Sequence, residues 1–110
     1  YRLQNRYRVP HIMSELGFED LEQILGGYFH QDWMDEFSSE KEAIEYILKN
    51  ESRRKIVSAK EAIEEVLNKD MSEEEYKDKL FALGNEYEYE FDGYSSREWL
   101  EFLLVSFDIK

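Results

Sequence analysis

His30 and Asp32 stand two residues apart in the run Gly26-Gly27-Tyr28-Phe29-His30-Gln31-Asp32-Trp33. An imidazole beside a carboxylate is the orienting half of a general-base pair, and both side chains are metal ligands. Either chemistry needs more: a nucleophile within reach of the imidazole, or a second ligand cluster at a recognisable spacing. The chain has no cysteine, and its other histidine, His11, lies in a stretch of different character near the start. We therefore expect no catalytic residue, no metal site and no cofactor. The competing reading of the same run is a joint between two helices. Gly26-Gly27 weakens a helix or lets another segment approach closely. Asp32 caps a short helix beginning at Trp33, and Tyr28, Phe29 and Trp33 pack the corner. The joint is the reading carried forward.

The elements around that joint are helical by pattern. Leu21, Ile24, Leu25 and Tyr28 recur at i, i+3, i+4 and i+7, which predicts a first helix over 19–29 ending near the glycine pair. Ser39-x-x-Glu42, Ser72-x-x-Glu75 and Ser95-x-x-Glu98 are capping boxes, and Met71 with Tyr76 and Tyr94 with Trp99 are spaced as hydrophobic staples. These signals place helices over 40–50, 53–69, 73–83 and 96–107. Ile56, Ala59, Ile63, Val66 and Leu67 form the inner face of the long one. Leu100, Leu103, Leu104 and Phe107 form that of the last, and Gly84 suits the position just past the fourth. The expected fold class is all-α: a small single-domain bundle of about five helices.

One segment departs from the helical period. Residues 85–93, Asn85-Glu86-Tyr87-Glu88-Tyr89-Glu90-Phe91-Asp92-Gly93, alternate acid with aromatic. An extended chain puts Tyr87, Tyr89 and Phe91 on one side and the glutamates on the other. A lone strand has no sheet to join, so the expectation is an ordered, extended acidic-aromatic loop.

Composition narrows the function. At 110 residues with 42% apolar content the chain suits one domain with its own core. With no cysteine, no apolar run near ~20 residues and no signal-peptide pattern, we expect a cytoplasmic protein without a membrane span. Net charge is −12, with 9 basic and 11 acidic side chains in residues 1–60 but 5 and 15 in residues 61–110. Such a field repels phosphate backbones and attracts basic proteins, so direct nucleic-acid binding is disfavoured. Residues 1–12 carry Arg2, Arg6, Arg8 and the only proline, Pro10, with no acid. We expect them to be a basic arm, disordered or non-native, or else an arm that touches RNA, ahead of a single domain over 13–110. A hydrolase using carboxylate-bound Mg²⁺ is disfavoured because most acids fall on predicted solvent faces.

Tyr28-Phe29-His30-Gln31-Asp32-Trp33, with Ser96-Arg97-Glu98-Trp99-Leu100 near the C-terminus, resembles the immunity proteins of bacterial contact-dependent growth inhibition (CDI) systems, over about residues 16–107. The resemblance implies a non-enzymatic cytoplasmic inhibitor that binds the C-terminal toxin domain, commonly a nuclease, of a partner surface protein. Tyr28, Phe29, His30, Gln31, Asp32, Trp33 and Trp99 are then structural motif residues. The contact expected with the toxin is Glu86, Tyr87, Glu88, Tyr89, Glu90 and Asp92, since interface hot spots favour tyrosine backed by charge. In the alternative, Tyr87 and Phe91 cover the open end of the bundle. An acidic adaptor for another basic protein is the alternative function. Oligomeric state is open.

Overall fold

Five α-helices and two short 3-10 turns make up the regular structure in the computed structural model, which describes residues 17–109. The basic arm and the boundary at Met13 lie outside the described residues. Helix α1 is helical from 17 to 28. Then come a 3-10 turn at Trp33–Asp35, α2 at Glu40–Asn50, α3 at Arg53–Asn68, α4 at Glu73–Ala82, a second 3-10 turn at Tyr89–Asp92 and α5 at Ser96–Ser106. The all-α expectation holds, and no strand occurs among the described residues.

Local chemistry sets the boundaries. Ser72 and Ser95 each accept from the amide three residues on, and Glu75 and Glu98 reach back to the cap amides, so both capping boxes close. The third closes differently. Ser39 accepts from the Glu42 amide, but the Glu42 carboxylate takes the amide and hydroxyl of Ser38, one residue earlier. Ser52 caps α3 by accepting from the Lys55 amide, without a box. Helix α4 ends in a Schellman motif: Gly84 donates to Phe81 and Asn85 to Leu80, with Gly84 at φ +92°.

Helix α5 is the axle of the bundle, with α3 and α4 packed against it. Trp99, Leu100, Leu103 and Phe107 are fully buried, as are Leu21, Ile24 and Leu25 of α1 and Ile56, Ala59, Ile63 and Val66 of α3. Burial of each large apolar side chain contributes roughly 1.5–3 kcal/mol. Leu67 and Leu104, expected inside, lie half-buried at the edges of their faces. Helix α4 buries only Tyr76 and Leu80. The Tyr76 hydroxyl accepts from the Met71 amide at 3.2 Å and from Arg97 at 3.1 Å, tying the start of α4 to α5.

The glycine pair does not end α1, which continues to residue 28. Gly26 alone makes the close approach: a Cβ on Gly84 would stand 3.0 Å from the Gly26 Cα, while Gly27 faces open space. The C-terminus of α4 thus crosses α1 backbone to backbone, which fixes where the chain after Gly84 emerges. Among the described residues no helix is long and apolar enough to cross a membrane.

Candidate functional site

The 85–92 segment leaves that crossing and runs along the joint. Its first stretch keeps the period-two pattern: Asn85, Tyr87 and Tyr89 are buried, the tyrosines at 4% and 5% exposure, while Glu86, Glu88 and Glu90 face solvent. The pattern breaks at residue 91. The 3-10 turn over Tyr89–Asp92, closed by Gly93 at φ +93°, swings Phe91 outward to 85% exposure. The expectation that Phe91 shares a face with Tyr87 and Tyr89 is therefore corrected, and so is its role in covering the bundle.

The inward side chains lock the loop to the joint. Phe29, Trp33, Tyr87 and Trp99 form one aromatic cluster, with ring centroids 5.6 Å apart for Phe29–Trp33, 4.8 Å for Trp33–Tyr87 and 4.8 Å for Tyr87–Trp99. The Tyr89 ring lies nearly parallel to that of Trp99, their centroids 6.3 Å apart. The Glu86 amide donates to the Phe29 carbonyl at 2.8 Å. Asn85 accepts from Trp99 Nε1 at 3.0 Å and donates to the Tyr87 carbonyl at 3.2 Å. A buried indole N–H needs such an acceptor, and sequence periodicity did not reveal this one.

In the joint itself, Phe29 and Trp33 are buried, Tyr28 and His30 half-buried, and Gln31 and Asp32 exposed. The Tyr28 hydroxyl donates to Glu51; burial, then this carboxylate, pushes it well above the ordinary tyrosine range. The expected Asp32 cap is absent: no side-chain hydrogen bond caps the turn. His30 closes the bend, its Nδ1 accepting from the Asp32 amide at 3.0 Å. With Nδ1 engaged this way the neutral ring carries its proton on Nε2, which lies 3.6 Å from Glu36. The imidazole thus meets the backbone amide of Asp32, not its carboxylate. No group of three or more His, Asp or Glu side chains among the described residues is placed to hold a metal ion.

Joint and loop together bound a cleft of about 480 Å³, which brings Gln31 and Trp33 alongside Glu86, Tyr87, Glu88 and Asp92. Glu90 lies elsewhere, paired with Lys77 at 3.5 Å. Glu40, at the start of α2, also lines the cleft and accepts from the Tyr94 hydroxyl at 2.9 Å. Burial, then Glu40, pushes the Tyr94 hydroxyl up to about 12. The Tyr87 hydroxyl donates to Asp92, and burial, then this bond, raises it further.

A family model for CdiI immunity proteins matches residues 17–105, which include both motifs, the joint and the loop. The chain belongs to the CdiI immunity protein family. No curated protein and no solved structure gives a significant match. In this CdiI family member the two stretches that carried the resemblance meet in one cluster. The side chains that face outward around them include Glu86, Glu88 and Asp92, together with the exposed Met34 and Phe91.

Proposed function

We propose that this protein binds the C-terminal toxin domain of a cognate CDI protein in the cytoplasm of the cell that makes it and neutralises it there, the toxin being a basic nuclease. Membership of the CdiI immunity family across residues 17–105 carries the reading. The charge of −12 supports it, since a nuclease cleft that holds phosphate is basic and an acidic inhibitor gains steered association with it. The protein itself performs no catalysis, uses no cofactor and binds no nucleic acid directly. The contact includes the outer row Glu86, Glu88, Glu90 and Asp92, while Tyr87 and Tyr89 act from inside by holding that row in place.

The test pairs this protein with the toxin domain encoded immediately upstream of its gene. Co-production should rescue growth and abolish nuclease activity in the purified mixture. Glu88→Lys with Glu90→Lys should change stability by less than about 1 kcal/mol, because exposed charges and the surface pair with Lys77 contribute little. The same variant should associate more slowly, with a flatter salt dependence. Rates unchanged by the double reversal would move the contact to the glutamate faces of α3 and α4. A parent protein that ignores the toxin but captures another basic protein would make it an adaptor.

A further inference from the structure

The cleft between the joint and the loop has a construction that the family assignment does not explain. Its walls are the rings of Trp33 and Tyr87, and at its lips stand Met34 and Phe91, at 73% and 85% exposure. Two large apolar side chains exposed at the same concavity make a surface suited to a partner. The polar groups lining the same cleft say what. Glu40 and Asp92 each have one oxygen fixed by a tyrosine hydroxyl, from Tyr94 and Tyr87. The second oxygen of each is left for an outside donor. No Lys or Arg among the described residues pairs with either carboxylate. Both hydroxyls stay protonated, and so remain donors, through the neutral range.

We propose that this cleft receives an arginine side chain of the toxin domain, its aliphatic stem lying along Met34 and Phe91 and its guanidinium reaching Glu40 and Asp92. Arginine fits better than lysine on two counts. A planar fork of five N–H donors can serve two carboxylates at once, whereas an ammonium is a single strongly hydrated point. A guanidinium also stacks on an aromatic face such as the one Phe91 exposes. The apolar stem covers the lips while the head stays paired. The acidic lining selects a basic partner over an acidic or neutral one by charge complementarity.

This inference rests on the immunity reading, and the test separates the two. The dissociation constant of the upstream-encoded toxin domain is measured against the parent, against Glu40→Gln with Asp92→Asn, and against Phe91→Ala. The amides retain an oxygen for both tyrosine hydroxyls, so the double variant should melt like the parent. Phe91→Ala removes only an exposed ring and supplies a second comparison that leaves those bonds alone. We expect the double variant to lose tenfold or more in affinity, mainly through faster dissociation, and Phe91→Ala to lose several-fold. A photo-crosslinking residue at position 91 should label a toxin segment containing an arginine. Changing that arginine to lysine should weaken the parent complex tenfold while adding little to the double variant. Tight binding that both variants share with the parent, or a crosslink to a segment without arginine, overturns the cleft assignment and leaves the immunity reading standing. A parent that does not bind the toxin overturns both.

Discussion

Phe29 meets the indole of Trp99 edge-on, their ring centroids 5.1 Å apart and the planes at 84°. One ring follows α1 and the other lies on α5, and both are completely buried. This geometry sets the positive edge of one ring toward the negative face of the other, which contributes beyond area burial. A double-mutant cycle with Phe29→Leu and Trp99→Phe, read by urea unfolding, should return a coupling of about 0.5–1.5 kcal/mol. Strict additivity would mean that the rings merely fill space.

Asn85 carries a heavier duty than a loop residue usually does. Asn85→Leu leaves both the Trp99 N–H and the Tyr87 carbonyl without their partner. Each stranded group costs on the order of 1–3 kcal/mol. Trp99→Phe, harmful in the parent, should cost less on the Asn85→Leu background, because the orphaned donor goes with it. Equal costs on both backgrounds, in equilibrium denaturation, would remove Asn85 from this role.

The glycines should answer alanine in opposite directions. Gly84→Ala meets a positive φ and would bring its Cβ to 3.0 Å from the Gly26 Cα, so a loss above about 1 kcal/mol is expected. Gly27→Ala points into open space within α1 and should gain about 0.5 kcal/mol. Thermal melting of the two single variants decides the matter, and a destabilised Gly27→Ala would refute the geometry drawn for α1.

Alkali should loosen the fold before it reaches extreme values. Tyr28, Tyr87 and Tyr94 are raised above the ordinary value of 10.0 by burial and then by the carboxylates Glu51, Asp92 and Glu40. A raised folded value means that the unfolded chain releases these protons first. Their stabilisation is complete below pH 10 and drains away as pH rises toward the folded values, about 12 for Tyr94. Phenolate absorbance and circular dichroism should change together in that window. Tyr87→Phe should shift the transition to higher pH relative to its own neutral stability, and an unmoved profile would show that Tyr87 is not part of the titrating set.

Much of this was legible because it is local. A serine three residues before a glutamate can close a box within one turn, as at Ser72 and Ser95 though not at Ser39, so the starts of α4 and α5 could be read directly, as could the left-handed glycine after α4. The alternation over 85–90 was legible for the same reason. It stopped at Phe91 because a 3-10 turn advances side chains by about a third of a circle, and a period of two does not foresee that. Asp32 failed as a cap because the Asp35 amide is already taken by the Asp32 backbone carbonyl in the tight 3-10 turn. The acceptor for Trp99, the meeting of Glu40 and Asp92 in one cleft and the Gly26–Gly84 crossing depend on segments distant in sequence, and no spacing rule reaches them.

Along 85–90 the fold assigns opposite duties to adjacent residues. Asn85, Tyr87 and Tyr89 anchor, and Glu86, Glu88 and Glu90, one step away in each case, face solvent, Glu90 beside the exposed Lys77. A chain so divided can be rewritten at every second letter without disturbing its grammar. On the proposed contact, the side chains at 86, 88 and 90 can be exchanged on an unaltered frame, so that a change of partner there asks nothing of the anchors.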